Sequence, residues 1–236
     1  MKNEKLPKKA NRDEVATFLQ KVKATPVETL ATKHPRLIFS LDATASREPM
    51  WDRACHIQAQ MFKETLSLGG LDIQLAYYRG FLEFSATPWA NSGESLLSYM
   101  SSIRCAAGQT QIAKVMEHAI SENSKTAVKA LVFVGDAMEE DPTLLNRLAG
   151  KLGIMNVPVF IFQDGCDSIT ERSFRDIARL SKGAYCQFDA NSVYKLRDLL
   201  CAIAVFVAGG HKALNKYIAA HGTNVAQLTH QLAKTH

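Results

Sequence analysis

The stretch LIFSLDATASR, residues 37–47, changes abruptly from apolar to polar, and the rest of the chain is best interpreted outward from it. Residues 37–41 are almost all apolar, which is typical of a strand that is buried on both faces. Asp42, Thr44 and Ser46 then place a carboxylate and two hydroxyls at every second position, so in an extended turn they can point the same way. The stretch therefore predicts a core strand that ends in a cluster of oxygen ligands.

Beyond this stretch, predicted strands alternate with predicted helices. The runs ALVFV (residues 130–134) and VFIF (159–162) are equally apolar, and segments with helical periodicity surround them. DIQLAYYRG and FLEFSA predict a hairpin or a bent edge pair. This order predicts an α/β fold with an open, mostly parallel central sheet, one antiparallel edge strand and helices on both faces. In such sheets, ligands bind beyond the carboxyl ends of the strands, where the oxygen cluster lies.

The composition is that of a soluble globular protein, with 236 residues of which 47% are apolar and 22% are charged. The formal charge is +5, but the basic start of the chain has no interleaved aromatic residues, so we predict a solvated tail and no nucleic-acid partner. Five scattered cysteines without a CxxC pair favour a reducing compartment. No secretion signal is evident, and the apolar run 199–210 is too short for a bilayer. We therefore expect a cytoplasmic protein that has no membrane partner.

Three parts are expected along the chain. Residues 1–34 form a basic tail and an amphipathic helix, residues 35–208 form the main domain, and residues 209–236 form a C-terminal helical extension. The boundary at 208 rests on Gly209 and Gly210, since glycine commonly ends a helix. The amphipathic helix either packs on the main domain or offers its apolar face to a partner.

Two more loops on the same sheet edge supply further oxygen ligands. Thr110 follows a glycine-bearing loop at the start of a predicted helix, and Asp136 ends the strand ALVFVGD. Asp42 and Asp136 would need a cation between them, or one would have a raised pKa. Carboxylates, hydroxyls and retained waters suit magnesium or manganese. The alternative for DATAS is that its side chains only cap the following helix.

The motif DATAS at residues 42–46 resembles the D-x-S/T-x-S motif of the von Willebrand factor type A (VWA) domain, which forms a metal-ion-dependent adhesion site (MIDAS). Thr110 in GQT resembles the threonine of that family's second loop, and Asp136 in FVGD resembles the aspartate of its third loop. The resemblance covers residues 35–208 and implies a Rossmann-like VWA fold. It further implies a bacterial-type, cytosolic member of the family.

The same resemblance implies how the protein acts. It would be an interaction module and no enzyme, and a carboxylate from a partner protein would complete the shell of a bound Mg²⁺, Mn²⁺ or Ca²⁺. An ATPase-containing assembly is implied by the family alone, because the sequence itself shows no ATPase. The ligands that the resemblance implies are Asp42, Thr44, Ser46, Thr110 and Asp136.

Two alternatives remain open. A magnesium-dependent hydrolase or phosphatase could use Asp42 as its nucleophile, although Thr44 stands where such enzymes usually have a second aspartate and no Walker-type loop is present. A VWA-like scaffold could also carry a degenerate site. The third loop departs from the family pattern because Glu139, Glu140 and Asp141 add negative charge, which would either supplement or obstruct the metal.

Overall fold

The computed structural model describes five parts of the chain, namely residues 12–25, 34–44, 57, 60–188 and 193–232. The basic tail before residue 12 lies outside these ranges, as does Ser46. The helices are α1 (Arg12–Ala24), α2 (Gly93–Ser102), α3 (Ile112–Lys125), α4 (Pro142–Ile154), α5 (Ser168–Leu180) and α6 (Val193–Leu232). The strands are β1 (Arg36–Asp42), β2 (Asp72–Arg79), β3 (Glu83–Ala86), β4 (Val128–Gly135), β5 (Val159–Asp164) and β6 (Ala184–Phe188).

The six strands form one sheet in the order β3-β2-β1-β4-β5-β6. Every neighbouring pair is parallel except β2 and β3, which are antiparallel, so β3 is the antiparallel edge strand. The central strand β1 is buried from Leu37 to Asp42 because helices cover both of its faces. The predicted fold class is confirmed.

Alternate residues of each strand feed two separate apolar cores. Phe39 and Leu41 of β1 contribute to the core beneath α1, α2 and α6. Ile38 of β1 and Phe133 of β4 contribute to the core beneath α3, α4 and α5. Because side chains alternate between the faces of a strand, Asp42 lies on the second face, together with Ile38.

Helix α1 packs on the main body of the protein. Phe18 is fully buried, and its ring centroid lies 5.3 Å from that of Phe162 and 6.3 Å from that of Phe160. After the helix, Thr25 donates a hydrogen bond from Oγ1 to the carbonyl of Lys182 at 3.2 Å. Of the two alternatives for this helix, packing is the one that the structure shows.

The last helical stretch is interrupted at the glycines where the sequence predicts a helix end. Helical turns continue from Val193 to Leu232, and Gly210 (φ 66°, ψ −164°) interrupts them without a loop. The segment 196–221 is long and apolar enough to cross a membrane by length and composition alone, but 56% of its apolar window is buried inside the protein. Such burial is also found in the core helices of soluble proteins. Gly210 thus marks a kink, after which the chain is helical again at once.

Candidate metal site

The candidate site lies where the direction of the sheet connections reverses. The chain passes from β1 to β2 on one side and returns to β4 on the other side of β1. At such a switch point the flanking loops diverge and leave a crevice outside the carboxyl ends of the strands. Asp42 is the last residue of β1, and Asp136 directly follows β4. The two aspartates that the sequence singled out are therefore brought to one crevice.

This crevice is a cleft of about 260 Å³ that combines three loops. Four of the five predicted ligands line it, and Ser46 lies outside the described residues. Their role as metal ligands stays a prediction. The lining consists of Asp42, Thr44, Ala107, Gly108, Thr110, Asp136, Ala137 and Glu139.

The first loop is fixed by hydrogen bonds at the end of β1. The amide of Thr44 donates to Oδ1 of Asp42 at 2.8 Å, which makes a tight Asx turn. The amide of Ala43 donates to the carbonyl of Tyr78 at 3.0 Å, and the carbonyl of Ala43 accepts from the amide of Ala106 at 3.1 Å. The oxygen-bearing turn is thereby held between β2 and the second loop.

The second loop, which contains Gly108 and Thr110, packs on the turn between β2 and β3. The amide of Gln109 donates to the carbonyl of Gly80 at 3.3 Å, and the amide of Gly80 donates to the carbonyl of Ala106 at 3.5 Å. Gly108 approaches so closely that a Cβ on it would lie 2.0 Å from the carbonyl oxygen of Gly80. Glycine is therefore required here, and the contact places Thr110 at the cleft.

The three acids of the third loop have different partners. The amide of Glu139 donates to Oγ1 of Thr110 at 3.2 Å, and Oε2 of Glu139 accepts from the amide of Thr110 at 3.4 Å. Glu140 accepts hydrogen bonds from the backbone amides at the start of α3, including that of Ala113 at 3.0 Å. Asp141 caps α4 by accepting from the amide of Thr143 at 2.9 Å. Of the three acids, Glu139 is the one that lines the cleft.

The charges around the cleft favour a cation. Asp42, Asp136 and Glu139 contribute three carboxylates to its lining, and no described residue of the lining is basic. Burial raises the pKa of Glu140, although the amides that donate to it act in the opposite direction. Such an accumulation of negative charge at partly buried positions is stabilised by a bound positive ion.

Tyr78 lies beneath this charge and was not predicted as part of the site. It pairs with Asp42 in the register of β1 and β2 and is fully buried. Burial raises the pKa of its phenol well above 10, and the charges of Asp42, Glu140 and Asp136 raise it further. Asp42 raises this pKa also as an acceptor of a hydrogen bond from the hydroxyl. The phenol is therefore neutral and does not offset the negative charge above it.

The donor set fits a hard divalent cation. Within the described ranges, no group of three or more His, Cys, Asp or Glu side chains is placed to hold a metal ion. The three carboxylates of the cleft are therefore no complete ligand set by themselves, and hydroxyl oxygens would have to complete it. Carboxylate and hydroxyl oxygens suit magnesium, manganese or calcium better than metals that prefer thiolate or imidazole ligands.

Comparison with known proteins finds solved structures of similar fold but no protein of closely similar sequence. No protein-family model matches the sequence. A search of the curated proteins finds no match either.

Among solved structures, an aerotolerance-related membrane protein from Bacteroides fragilis is 16% identical, with a TM-score of 0.54 over 71% of this chain and 98% of that one. The VWA domain of SpRpn10 is 12% identical, with a TM-score of 0.55 over 70% of this chain and 95% of that one.

A third similar structure is proximal thread matrix protein 1 from the mussel byssus, with a zinc-occupied MIDAS motif. It is 14% identical, with a TM-score of 0.54 over 72% of this chain and 46% of that one. At these identities, the likeness shows the fold alone. The chain has the Rossmann-like fold of VWA domains.

Proposed function

We propose that this protein is a metal-dependent protein-interaction module that captures a carboxylate of its partner through a divalent cation. The observation that carries the proposal is the convergence of three loops on one cleft, whose described lining residues supply three carboxylates, two hydroxyls and no basic side chain. The zinc-occupied MIDAS of the mussel protein, which shares the fold, supports the same assignment.

The proposed ligands are Asp42, Thr44, Ser46, Thr110 and Asp136. Two aspartates neutralise most of the charge of a divalent cation, while hydroxyls and retained waters leave it attractive to an incoming carboxylate. Mg²⁺ is the proposed ion, with Mn²⁺ and Ca²⁺ as alternatives. The ion would serve as the binding element, and a glutamate or aspartate of the partner would take the remaining position.

An interaction module is proposed in preference to a hydrolase. Among the residues that the structure describes, the cleft lining has no histidine, lysine or cysteine to assist acid–base or nucleophilic chemistry, and Thr44 replaces the second aspartate of phosphoryl-transfer sites. We further place the module in the cytoplasm of a bacterial cell, beside an ATPase-containing assembly, on the strength of the sequence resemblance.

The test is a calorimetric titration of the intact protein with magnesium and with manganese. We expect one ion to bind the wild type and no ion to bind Asp42→Asn. Asp164→Asn is the matched control, because Asp164 also ends a parallel strand, β5, but does not line the cleft. Equal heats for wild type and Asp42→Asn would remove the basis of the proposal.

A second readout is thermal stability. An ion that binds only the folded state at about a hundred times its dissociation constant adds about 2.7 kcal/mol. For a chain of this size we expect the melting temperature to rise by about 5–10 °C. The rise in melting temperature should be present in Asp164→Asn and absent in Asp42→Asn. An activity assay tests the alternative, because magnesium-dependent hydrolysis of an aryl phosphate by the wild type would favour a hydrolase.

A further inference from the structure

The turn between β2 and β3 exposes two consecutive large apolar side chains. Phe81 is 77% exposed and Leu82 is 76% exposed. Removing apolar side chains of this size from water is favourable, so the pair offers binding free energy that the folded protein does not use. Isolated exposed apolar residues are common, but an adjacent pair beside a cleft is a feature of interaction sites.

The turn is held in a conformation that presents this pair. Leu82 has φ 64°, in the left-handed region that residues with a Cβ seldom adopt. Lys114 donates from Nζ to the carbonyl of Leu82 at 3.1 Å. Arg79 and Glu83 close the hairpin with an ion pair at 2.9 Å. The surrounding contacts therefore maintain the strained backbone, and both apolar side chains remain in solvent.

The turn lies directly beside the cleft and contacts one of its loops. Gly80, which precedes Phe81, accepts a hydrogen bond from Gln109 and packs directly on Gly108. Gly108 belongs to the lining of the cleft. A partner segment that reaches the cleft therefore meets the exposed pair next to it.

The flank of the turn is basic, in contrast to the cleft. Lys114 of α3 contacts the turn through its hydrogen bond to Leu82, and the exposed Arg104 lies beside the turn, where its carbonyl accepts a hydrogen bond from Arg79 at 2.8 Å. No carboxylate of the described residues lies within ion-pair distance of Lys114 or Arg104. This flank is complementary to acidic groups, whereas the three carboxylates of the cleft would repel a nucleic acid.

We infer that the partner docks through an acidic segment that places one carboxylate on the metal ion and a bulky apolar side chain on Phe81 and Leu82. Further acidic residues of the segment would face Lys114 and Arg104. This inference rests on the proposed function and specifies the chemistry of the partner. The apolar contact supplies affinity, and the metal contact fixes the position of the segment.

The test uses a phage-displayed peptide library that has one fixed aspartate and random flanks, selected on the intact protein with manganese. We expect the enriched peptides to carry an aromatic or large aliphatic residue near the aspartate and an excess of acidic residues. A synthetic copy of an enriched peptide should bind the double variant Phe81→Ser, Leu82→Ser at least about tenfold more weakly. Ile154→Ser is the matched control, since Ile154 is 83% exposed but ends α4 and does not line the cleft.

The outcomes separate this inference from the proposed function. The double variant should bind manganese as the wild type does in calorimetry, because neither residue lines the cleft. Peptides that require manganese and Asp42 but bind the double variant as tightly as the wild type would overturn the inference and leave the proposed function standing. If no peptide is enriched, the inference fails, and if enriched peptides bind without manganese, the proposed function fails with it. If the turn binds anionic phospholipid vesicles and no peptide, it belongs to a membrane contact and the inference is wrong.

Discussion

Replacing Gly108 with alanine should disrupt the contact between the second loop and the β2–β3 turn. A Cβ at this position would lie 2.0 Å from the oxygen and 2.4 Å from the nitrogen of Gly80. Both are backbone atoms, so no side-chain rotation can relieve the overlap, and either the loop or the turn must move. The movement would break the two hydrogen bonds that join Gly80 to Ala106 and Gln109.

The size of the effect follows from these contacts. Forcing an extra carbon into a closely packed position costs about 1–3 kcal/mol, and each lost backbone hydrogen bond costs about 0.5–1.5 kcal/mol. We expect the free energy of unfolding to fall by about 2–6 kcal/mol. One kcal/mol shifts the melting temperature of a chain of this length by about 2–4 °C, so a decrease of about 5–20 °C is expected.

Urea denaturation and thermal melting without added metal measure the change. Gly150→Ala is the matched control, because a Cβ on Gly150 would have no neighbour within 4 Å and the residue lies inside α4. Alanine is favoured over glycine in a helix by about 0.8–1 kcal/mol, so the control should be stabilised. If Gly108→Ala were as stable as the wild type, the close approach of the two loops would be refuted.

Three further predictions concern other parts of the molecule. Phe18→Ala should lower the free energy of unfolding by about 3–5 kcal/mol in urea denaturation, and a loss below 1 kcal/mol would show that α1 is not part of the core. A hydrogen bond from Lys125 lowers the pKa of Glu122 below 4.5, so its stabilising contribution should be present above pH 4.5 and lost as the pH falls through the lowered pKa. Denaturation across this range should therefore show a shallower acid-induced loss in Glu122→Gln, and identical profiles would contradict the assignment. Burial raises the pKa of Cys201 to about 12, so mass spectrometry after thiol labelling at pH 8 should find the exposed Cys166 modified in the folded protein and Cys201 modified only after unfolding.

Much of the fold could be predicted because an uninterrupted run of apolar residues indicates a strand that is buried on both faces. The run from Leu37 to Leu41 is apolar without clear alternation because helices cover both faces of β1. For the last helix, the sequence predicted a break at Gly209 and Gly210 but not whether a loop or only a kink would separate the two helical parts. Gly210 is as suited to ending a helix as to kinking one, and the outcome depends on tertiary packing. In the structure Leu214 is fully buried against the core, so the helix resumes immediately after the kink.

The convergence of Asp42 and Asp136 was predictable because the carboxyl ends of parallel strands meet at one edge of a sheet. The separate positions of Glu139 and Glu140 were not, because they depend on how the third loop lies over the start of α3. Tyr78 also escaped prediction, since its place beside Asp42 depends on the pairing register of β1 and β2, which a strand pattern does not contain.

The packing of α1 has a practical consequence for anyone who shortens the chain. Sequence patterns place the start of the main domain at residue 35, but a recombinant fragment that began there would lack the helix that covers Phe160 and Phe162. The sides of those rings that Phe18 covers would face water, although Phe206 would still pack on Phe160, and the uncovered apolar surface would favour aggregation. Fragments prepared for crystallisation or binding work should therefore retain the sequence from upstream of Arg12.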